Sequence, residues 1–251
     1  MTSKPNFVLV TDQREVPPKP SLLARLRGMA APLGRLVLAR TPIPADEMSG
    51  RPRLIFAVDA TASREPAWTT ACQVTDALFR VLPGELEVAL AVHGGSQLHT
   101  FTPFTSNAGA LRDQAAGISC ITGRTRLLTV LSRALASPGV RVVTYIGDVF
   151  EESPVRGRSL ADAMGARGIR LVVLHDALDW LARRDAELFQ DLARRTGGCV
   201  VPFDANAPQR LRELLAAVAV YAVGGATLLR EKRAELPGAT LLLGYLGGKK
   251  S

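Results

Sequence analysis

Apolar runs alternate with amphipathic stretches along the middle of this chain. Residues 54–58 are apolar without polar alternation, and the run ends in Asp59. A run of this kind indicates a strand buried on both faces, as in a parallel sheet covered by helices. Similar runs occur at 87–92, 140–146 and 169–174, and helical patterns separate them. The pattern therefore predicts an α/β fold with a doubly wound, mostly parallel six-stranded sheet and helices on both faces.

Turn and capping residues set the expected limits of the other elements. Gly94-Gly95 indicates a hairpin between the strand at 87–92 and an antiparallel partner at 97–101. Pro, Gly, Ser and Asn residues mark most of the remaining boundaries. Helices are predicted at 65–81, 107–118, 159–167, 180–196 and 208–222. Another helix is predicted after the loop at 122–125 and ends at 136, and a short strand is predicted at 199–201.

Charge and composition divide the chain into three regions. Residues 1–52 form a basic arm with a short amphipathic helix and Pro-rich linkers, and they carry a net charge of +4. Residues 53–222 form the main α/β domain at +1, and residues 223–251 form an apolar and basic extension at +3. We expect the two ends to engage an acidic surface or partner, although an Arg-rich solvated composition is the alternative.

Cysteine usage and hydropathy favour a cytoplasmic protein. Cys72, Cys120 and Cys199 are odd in number and far apart, which predicts free thiols in a reducing compartment. No signal peptide is expected at the N-terminus. The uncharged run at 214–229 is shorter than the roughly 20 residues of a spanning helix, and Gly224-Gly225 interrupts it. No transmembrane segment is therefore predicted.

The residues after the first strand offer only oxygen ligands. Asp59, Thr61 and Ser63 occupy alternate positions, and such a set suits a hard cation such as Mg²⁺ better than zinc or iron. Capping of the next helix is the alternative interpretation of Asp59 and Thr61. A D-x-D pair, a phosphate-binding G-x-x-x-x-G-K-[ST] loop and a G-x-S-x-G elbow are all absent from the sequence. We therefore predict no catalytic residues and no enzymatic activity.

Three separate motifs resemble the von Willebrand factor type A (VWA) family. Residues 59–63 match the family's D-x-[ST]-x-S, residues 123–127 are similar to its threonine loop, and residues 142–148 resemble its later strand that ends in Asp. The resemblance implies a metal-ion-dependent adhesion site (MIDAS) that binds Mg²⁺, with Mn²⁺ and Ca²⁺ as alternatives. Arg124 departs from the family's usual Gly-Gly, and Gly147-Asp148-Val149 from its Thr-Asp-Gly. The implied metal ligands are Asp59, Thr61, Ser63, Thr125 and Asp148.

The same resemblance implies a function in protein recognition. In such a site the ion keeps an open position, which a carboxylate from a partner protein can fill. We therefore expect a Mg²⁺-dependent interaction module that acts as a cytoplasmic adaptor or assembly factor, and the family permits an AAA+ ATPase system as its partner. Residues Arg124, Arg126, Glu151 and Glu152 are expected to frame the site and select partners by charge.

A nucleic-acid-associated protein is the alternative function. The two basic ends could hold phosphates. Trp68 and Trp180 are isolated, however, so the sequence lacks the interleaved aromatic residues that stack on bases.

Overall fold

The computed structural model describes residues 50–61, 65–116, 118, 120, 123–175, 180–202, 204 and 206–248. The predicted N-terminal helix at 22–31 lies outside these residues, as do almost all of the basic arm and the proposed ligand Ser63.

The described strands form one six-stranded sheet, as the apolar runs predict. Their spatial order is β3-β2-β1-β4-β5-β6. Neighbouring strands are parallel except for β2 and β3, which form the predicted antiparallel hairpin. The doubly wound α/β prediction is confirmed. In chain order the strands are β1 (Arg53–Asp59), β2 (Glu87–Gly94), β3 (Gln97–Phe101), β4 (Val140–Gly147), β5 (Arg170–His175) and β6 (Cys199–Pro202).

Helices cover both faces of the sheet. Alternate residues of each central strand point to opposite faces, so β1 gives Phe56 to one core cluster and Ile55 to the other. One face packs against α1, α2, α3, α7 and α8, and the other against α4, α5 and α6. These helices are α1 (Glu65–Val74), α2 (Ala77–Arg80), α3 (Ala108–Ala116), α4 (Leu127–Ala136), α5 (Pro154–Ala166), α6 (Trp180–Thr196), α7 (Pro208–Glu231) and α8 (Pro237–Leu246).

Local hydrogen bonds move two helix boundaries from their predicted positions. The helix expected at 65–81 divides into α1 and α2 at a turn formed by residues 75 and 76, where the Thr75 hydroxyl donates to the Cys72 carbonyl. The helix expected to begin at 159 begins at Pro154, because the Ser153 hydroxyl accepts a hydrogen bond from the Arg156 N–H. Serine before proline is a common start of a helix, so this signal was readable in the sequence.

The helix expected to end at 222 continues to Glu231. Gly225, with φ of 64°, interrupts it at the predicted break. Within the described part of the chain, the segment Pro208–Ala234 alone has the length and composition of a membrane-crossing helix, and 50% of its apolar window is buried inside the protein. Leu215 and Val218 are among its fully buried residues. α8 then packs along α7, and the missing Cβ of Gly238 allows contact with the Glu213 carbonyl.

Thr144 carries a polar group that the core does not satisfy. Its side chain is fully buried between Phe56 and Val172, and its hydroxyl has no hydrogen-bond partner among the described residues. A buried unpaired hydroxyl is unfavourable. We expect Thr144→Val, which keeps the shape of the side chain, to raise the free energy of unfolding by about 1 kcal/mol in urea titrations.

Thr196 provides the matched control. It is equally buried, but its hydroxyl donates to the Ala193 carbonyl and accepts from the N–H groups of Leu171 and Gly198. Thr196→Val should therefore lower stability by about 2 kcal/mol, since it leaves buried backbone groups unpaired. Equal effects of the two substitutions would contradict this interpretation of Thr144.

Candidate functional site

The first two candidate ligands lie where β1 ends. Asp59 is the last residue of the strand, and Thr61 follows it on the connecting loop. Both side chains are nearly buried, with exposures of 1% and 8%. The Asp59 Oδ1 accepts a hydrogen bond from the Thr61 N–H at 2.9 Å. This bond fixes the direction of the carboxylate at the carboxyl edge of the sheet.

Strand order places this edge at a topological switch point. β1 lies between β2 and β4, and the chain leaves β1 and β4 toward helices on opposite faces of the sheet. Asp59 pairs in register with His93 of β2, and Val58 pairs with Ile146 of β4. In open α/β sheets, ligands bind in the crevice outside the carboxyl ends of the strands at such a point.

The Thr125 loop is held against the turn between β2 and β3. The Arg124 N–H donates to the Ser96 hydroxyl at 3.2 Å, and the Ser96 N–H donates to the Arg124 carbonyl at 3.1 Å. Gly123 lies so close to Gly95 that a Cβ at position 123 would overlap the backbone. Arg124 is tolerated in place of the family's glycine because only its backbone takes part in this contact, while its side chain is exposed.

His93, near the end of β2 and paired in register with Asp59, holds the Thr125 loop beside the end of β1. Its Nδ1 accepts a hydrogen bond from the Arg126 N–H at 3.2 Å and lies 4.0 Å from the Asp59 Oδ1. The accepting Nδ1 puts the proton of the neutral ring on Nε2. Burial lowers the pKa of His93 to about 3, with a smaller contribution from His99, so the ring is neutral at physiological pH. The ring stacks on Tyr145 with a centroid separation of 5.6 Å.

Asp148 follows β4 on a loop with fixed geometry. Its Oδ1 accepts from the Val149 N–H at 2.8 Å, and its backbone carbonyl accepts from His175 Nε2 at 3.0 Å. Gly147 precedes it because a Cβ there would overlap the ring of Tyr145. The buried tyrosine thus explains why Gly147 stands where the family has Thr, while nothing in the structure explains Val149 in place of the family's Gly.

Two glutamates connect the Asp148 loop to the Thr125 loop. The Glu151 Oε2 accepts from the Thr125 N–H at 2.9 Å, and the Thr125 hydroxyl accepts from the Glu151 N–H at 3.3 Å. The Glu152 Oε2 accepts from the Leu128 N–H at 2.9 Å, at the start of α4. Burial raises the pKa of Glu152, opposed by that bond and by nearby Arg126. The sequence did not predict these contacts.

The structure therefore brings four of the five predicted ligands to one edge of the sheet. Asp59 ends β1 and Thr61 follows it, Asp148 follows β4, and hydrogen bonds link the Thr125 loop to His93 at the end of β2, beside Asp59, and to Glu151 after β4. The donor set contains hydroxyl and carboxylate oxygens, which fits Mg²⁺. Among the described residues, no group of three or more His, Cys, Asp or Glu side chains is placed to hold a metal ion. A set with two carboxylates does not require such a group.

Comparison with solved structures shows which fold this is. A von Willebrand factor type A protein from Catenulispora acidiphila superposes with a TM-score of 0.52 at 16% identity, over 68% of this chain and 43% of that one. Proximal thread matrix protein 1 from the mussel byssus superposes with a TM-score of 0.53 at 14% identity, over 68% of this chain and 46% of that one. The VWA domain of SpRpn10 superposes with a TM-score of 0.51 at 10% identity, over 64% of this chain and 95% of that one. The fold is that of a VWA domain.

These similarities extend to the fold alone, because the identities are low. The matched region spans less than half the length of the first two proteins. No protein-family model matches the chain, and no curated protein matches its sequence. Any function must therefore be argued from the VWA architecture and from this chain's own residues.

Proposed function

We propose that this protein is a Mg²⁺-dependent protein-interaction module. Its partner presents an acidic residue at the carboxyl edge of the sheet. The residues that would hold the ion are Asp59, Thr61, Ser63, Thr125 and Asp148. The bound ion would supply an electrophilic position for the partner's carboxylate. The proposal needs no catalytic group. We also propose that the protein acts as a cytoplasmic adaptor or assembly factor, with an AAA+ ATPase system as one candidate partner.

The observation that carries the proposal is the reciprocal pairing of Thr125 and Glu151. Each residue's backbone N–H binds the other's side chain, so the Thr125 loop and the Asp148 loop are fixed relative to each other. One of the two lone pairs of the Thr125 hydroxyl oxygen accepts the Glu151 N–H, which leaves the other for an ion. A hydroxyl preorganised in this way contributes a ligand without adding charge.

Neutral ligands suit recognition better than structural metal binding. Three of the five proposed ligands are hydroxyls, so two carboxylates offset the two charges of Mg²⁺. The ion would then remain attractive to a third carboxylate from another protein. The attraction increases when the partner excludes water from the contact, because the local dielectric constant falls.

We expect Thr125→Val to weaken Mg²⁺ binding about tenfold while the domain remains folded. Valine retains the shape of threonine and removes the hydroxyl, which is the proposed ligand and also accepts the Glu151 N–H, while the bond from the Thr125 N–H to the Glu151 carboxylate remains. Isothermal titration of the full chain with MgCl₂ measures the affinity, and capture experiments with Mg²⁺ or EDTA measure partner binding. An unchanged Mg²⁺ affinity in the variant would contradict the assignment of Thr125.

Thr129→Val is the matched control. Thr129 lies in the first turn of α4, four residues after Thr125, and its side chain is exposed. This variant should bind Mg²⁺ as the wild type does.

A salt titration with nucleic acid tests the alternative function. Binding that falls steeply with salt but does not change with EDTA would favour contacts with phosphates.

A further inference from the structure

The charged residues expected around the site divide into two groups in the structure. Glu151 and Glu152 direct carboxylate oxygens at the backbone N–H groups of Thr125 and Leu128. A carboxylate that accepts such bonds is partly neutralised and fixed in place. The two glutamates therefore stabilise the loops, and their charge is only partly available to an arriving protein.

The arginines around the site are less constrained. Arg124 and Arg156 are exposed, and within the described part of the chain their guanidinium groups make no hydrogen bond or ion pair. Arg126 is half-buried and donates to the Ser96 carbonyl at 2.6 Å, and both Arg126 and Arg156 lie near enough to Glu152 for their charges to oppose the rise in its pKa. Three cationic side chains thus lie close to the edge where Asp59, Thr125 and Asp148 are found.

An apolar side chain lies beside these charges. Val155 is 73% exposed and is the one large hydrophobic residue with high exposure among the described residues. It lies in the first turn of α5, next to Arg156 and three residues after Glu152. At most about 3.5 Å per residue separates it from Glu152, so it is within about 10 Å of the loops that hold the candidate ligands.

We propose that Arg124, Arg126, Val155 and Arg156 form a recognition rim for a partner segment with several acidic residues and one apolar side chain. One acidic residue of that segment would reach the metal, so the inference rests on the proposed function. The remaining acidic residues would pair with the arginines, and the apolar side chain would cover Val155. Charge complementarity favours this occupant, because the outward-facing charge of the rim is positive while the nearby glutamates are bound to backbone amides.

Fluorescence anisotropy with labelled ten-residue peptides tests the rim. One peptide carries a single Asp in a Gly/Ser background, the second carries three acidic residues, and the third carries three acidic residues and a Leu. At saturating Mg²⁺ and physiological salt, each step should increase affinity by about threefold to tenfold. Equal affinity for all three peptides would overturn the proposal, as would tighter binding of a single-stranded oligonucleotide of the same length.

Substitutions assign the effect to the rim. Arg124→Gln combined with Arg156→Gln should remove most of the threefold to tenfold advantage of the triple-acid peptide but change the single-Asp peptide little. Val155→Ser should weaken only the Leu-containing peptide. Arg80→Gln is the control, because Arg80 is exposed at the end of α2, before β2 begins, and thus toward the opposite edge of the sheet. An equal loss in the Arg80 variant would overturn the role of the rim.

Calorimetry separates the failure of this inference from that of the proposed function. If the wild type binds Mg²⁺ and the peptides are not distinguished, the rim proposal is wrong while the metal site stands. If the wild type does not bind Mg²⁺, the proposed function fails, and this inference fails with it.

Discussion

Asp59→Ala should abolish Mg²⁺ and partner binding while the domain stays folded. Asp59 is one of only two carboxylates in the proposed ligand set, so its loss halves the charge that offsets the ion. We expect the Mg²⁺ affinity to fall at least 100-fold, which corresponds to about 2.7 kcal/mol. The free energy of unfolding should fall by about 1–2 kcal/mol, because the substitution removes the hydrogen bond that Asp59 accepts from the Thr61 N–H.

Thermal unfolding with Mg²⁺ or EDTA distinguishes recognition from a structural ion. A weakly held ion contributes little to stability, because the stabilisation depends on the ratio of its concentration to its dissociation constant. The wild type should therefore show only a small Mg²⁺-dependent rise in melting temperature. A large rise without any partner would show that the ion stabilises the fold, and it would contradict the recognition hypothesis.

Asp204→Ala is a matched control for the lost hydrogen bond. The Asp204 Oδ1 accepts a hydrogen bond from the Asn206 N–H at 2.8 Å. The Asp59 Oδ1 accepts the same kind of bond from the N–H two residues later, that of Thr61. Asp204 is exposed and follows β6, away from β1 in the sheet order. The control should lose a few tenths of a kcal/mol in stability and retain Mg²⁺ binding. Loss of Mg²⁺ binding in both variants would indicate a general effect of losing an aspartate.

The sheet could be predicted because its determinants are local. The apolar run that ends at Asp59 requires a strand buried on both faces, and β1 is buried from residue 54 onward. Helix ends were less predictable, because single hydrogen bonds decide them. Thr75 divides one predicted helix, and Ser153 starts another five residues earlier than expected. Hydrophobic periodicity does not encode such boundaries, although the serine before Pro154 is a signal in the sequence for one of them.

The support of the candidate site could not be predicted for a different reason. Glu151 and Thr125 are 26 residues apart, and His93 and Arg126 are 33 apart. The sequence predicts that Glu151 and Arg126 lie near the site, but no motif indicates that Glu151 binds Thr125 or that His93 binds Arg126. The sequence did place Asp59 and Asp148 at strand ends, but it did not indicate that His93 and His175 support the loops of the site by binding the Arg126 N–H and the Asp148 carbonyl.

A buried aromatic cluster lies beneath these loops. Phe189 of α6 is fully buried at its centre. Its ring centroid lies 5.9 Å from that of Tyr145, 6.1 Å from that of Phe150 and 5.1 Å from that of His175. Phe150 and His175 in turn contact the Asp148 loop, since Phe150 belongs to it and His175 binds the Asp148 carbonyl. Packing by Phe189 therefore supports both the fold and the position of a candidate ligand.

Phe189→Ala should lower the free energy of unfolding by about 3–5 kcal/mol. The loss combines the transfer energy of the ring with the cavity that remains under β4 and β5. Because a domain has only about 5–15 kcal/mol of stability, the effect will be large in urea titrations. Phe189→Leu fills most of the cavity and should lose about 1–1.5 kcal/mol. A loss in Phe189→Ala as small as the one expected for Phe189→Leu would show that the site tolerates a void.

Hydrogen exchange extends this prediction to the site. The Phe150 N–H donates to the Asp185 Oδ2 at 2.8 Å, in a buried contact between the Asp148 loop and α6. When Phe189 is truncated, α6 and the loop lose their shared packing, so this amide should exchange faster in Phe189→Ala by more than global unfolding explains. The strand β4 separates β1 from β5, so exchange rates of amides in the centre of β1 should change only as much as the global stability does. A Phe150 amide that exchanges at the global rate in both variants would show that the aromatic cluster stabilises the domain without positioning Asp148.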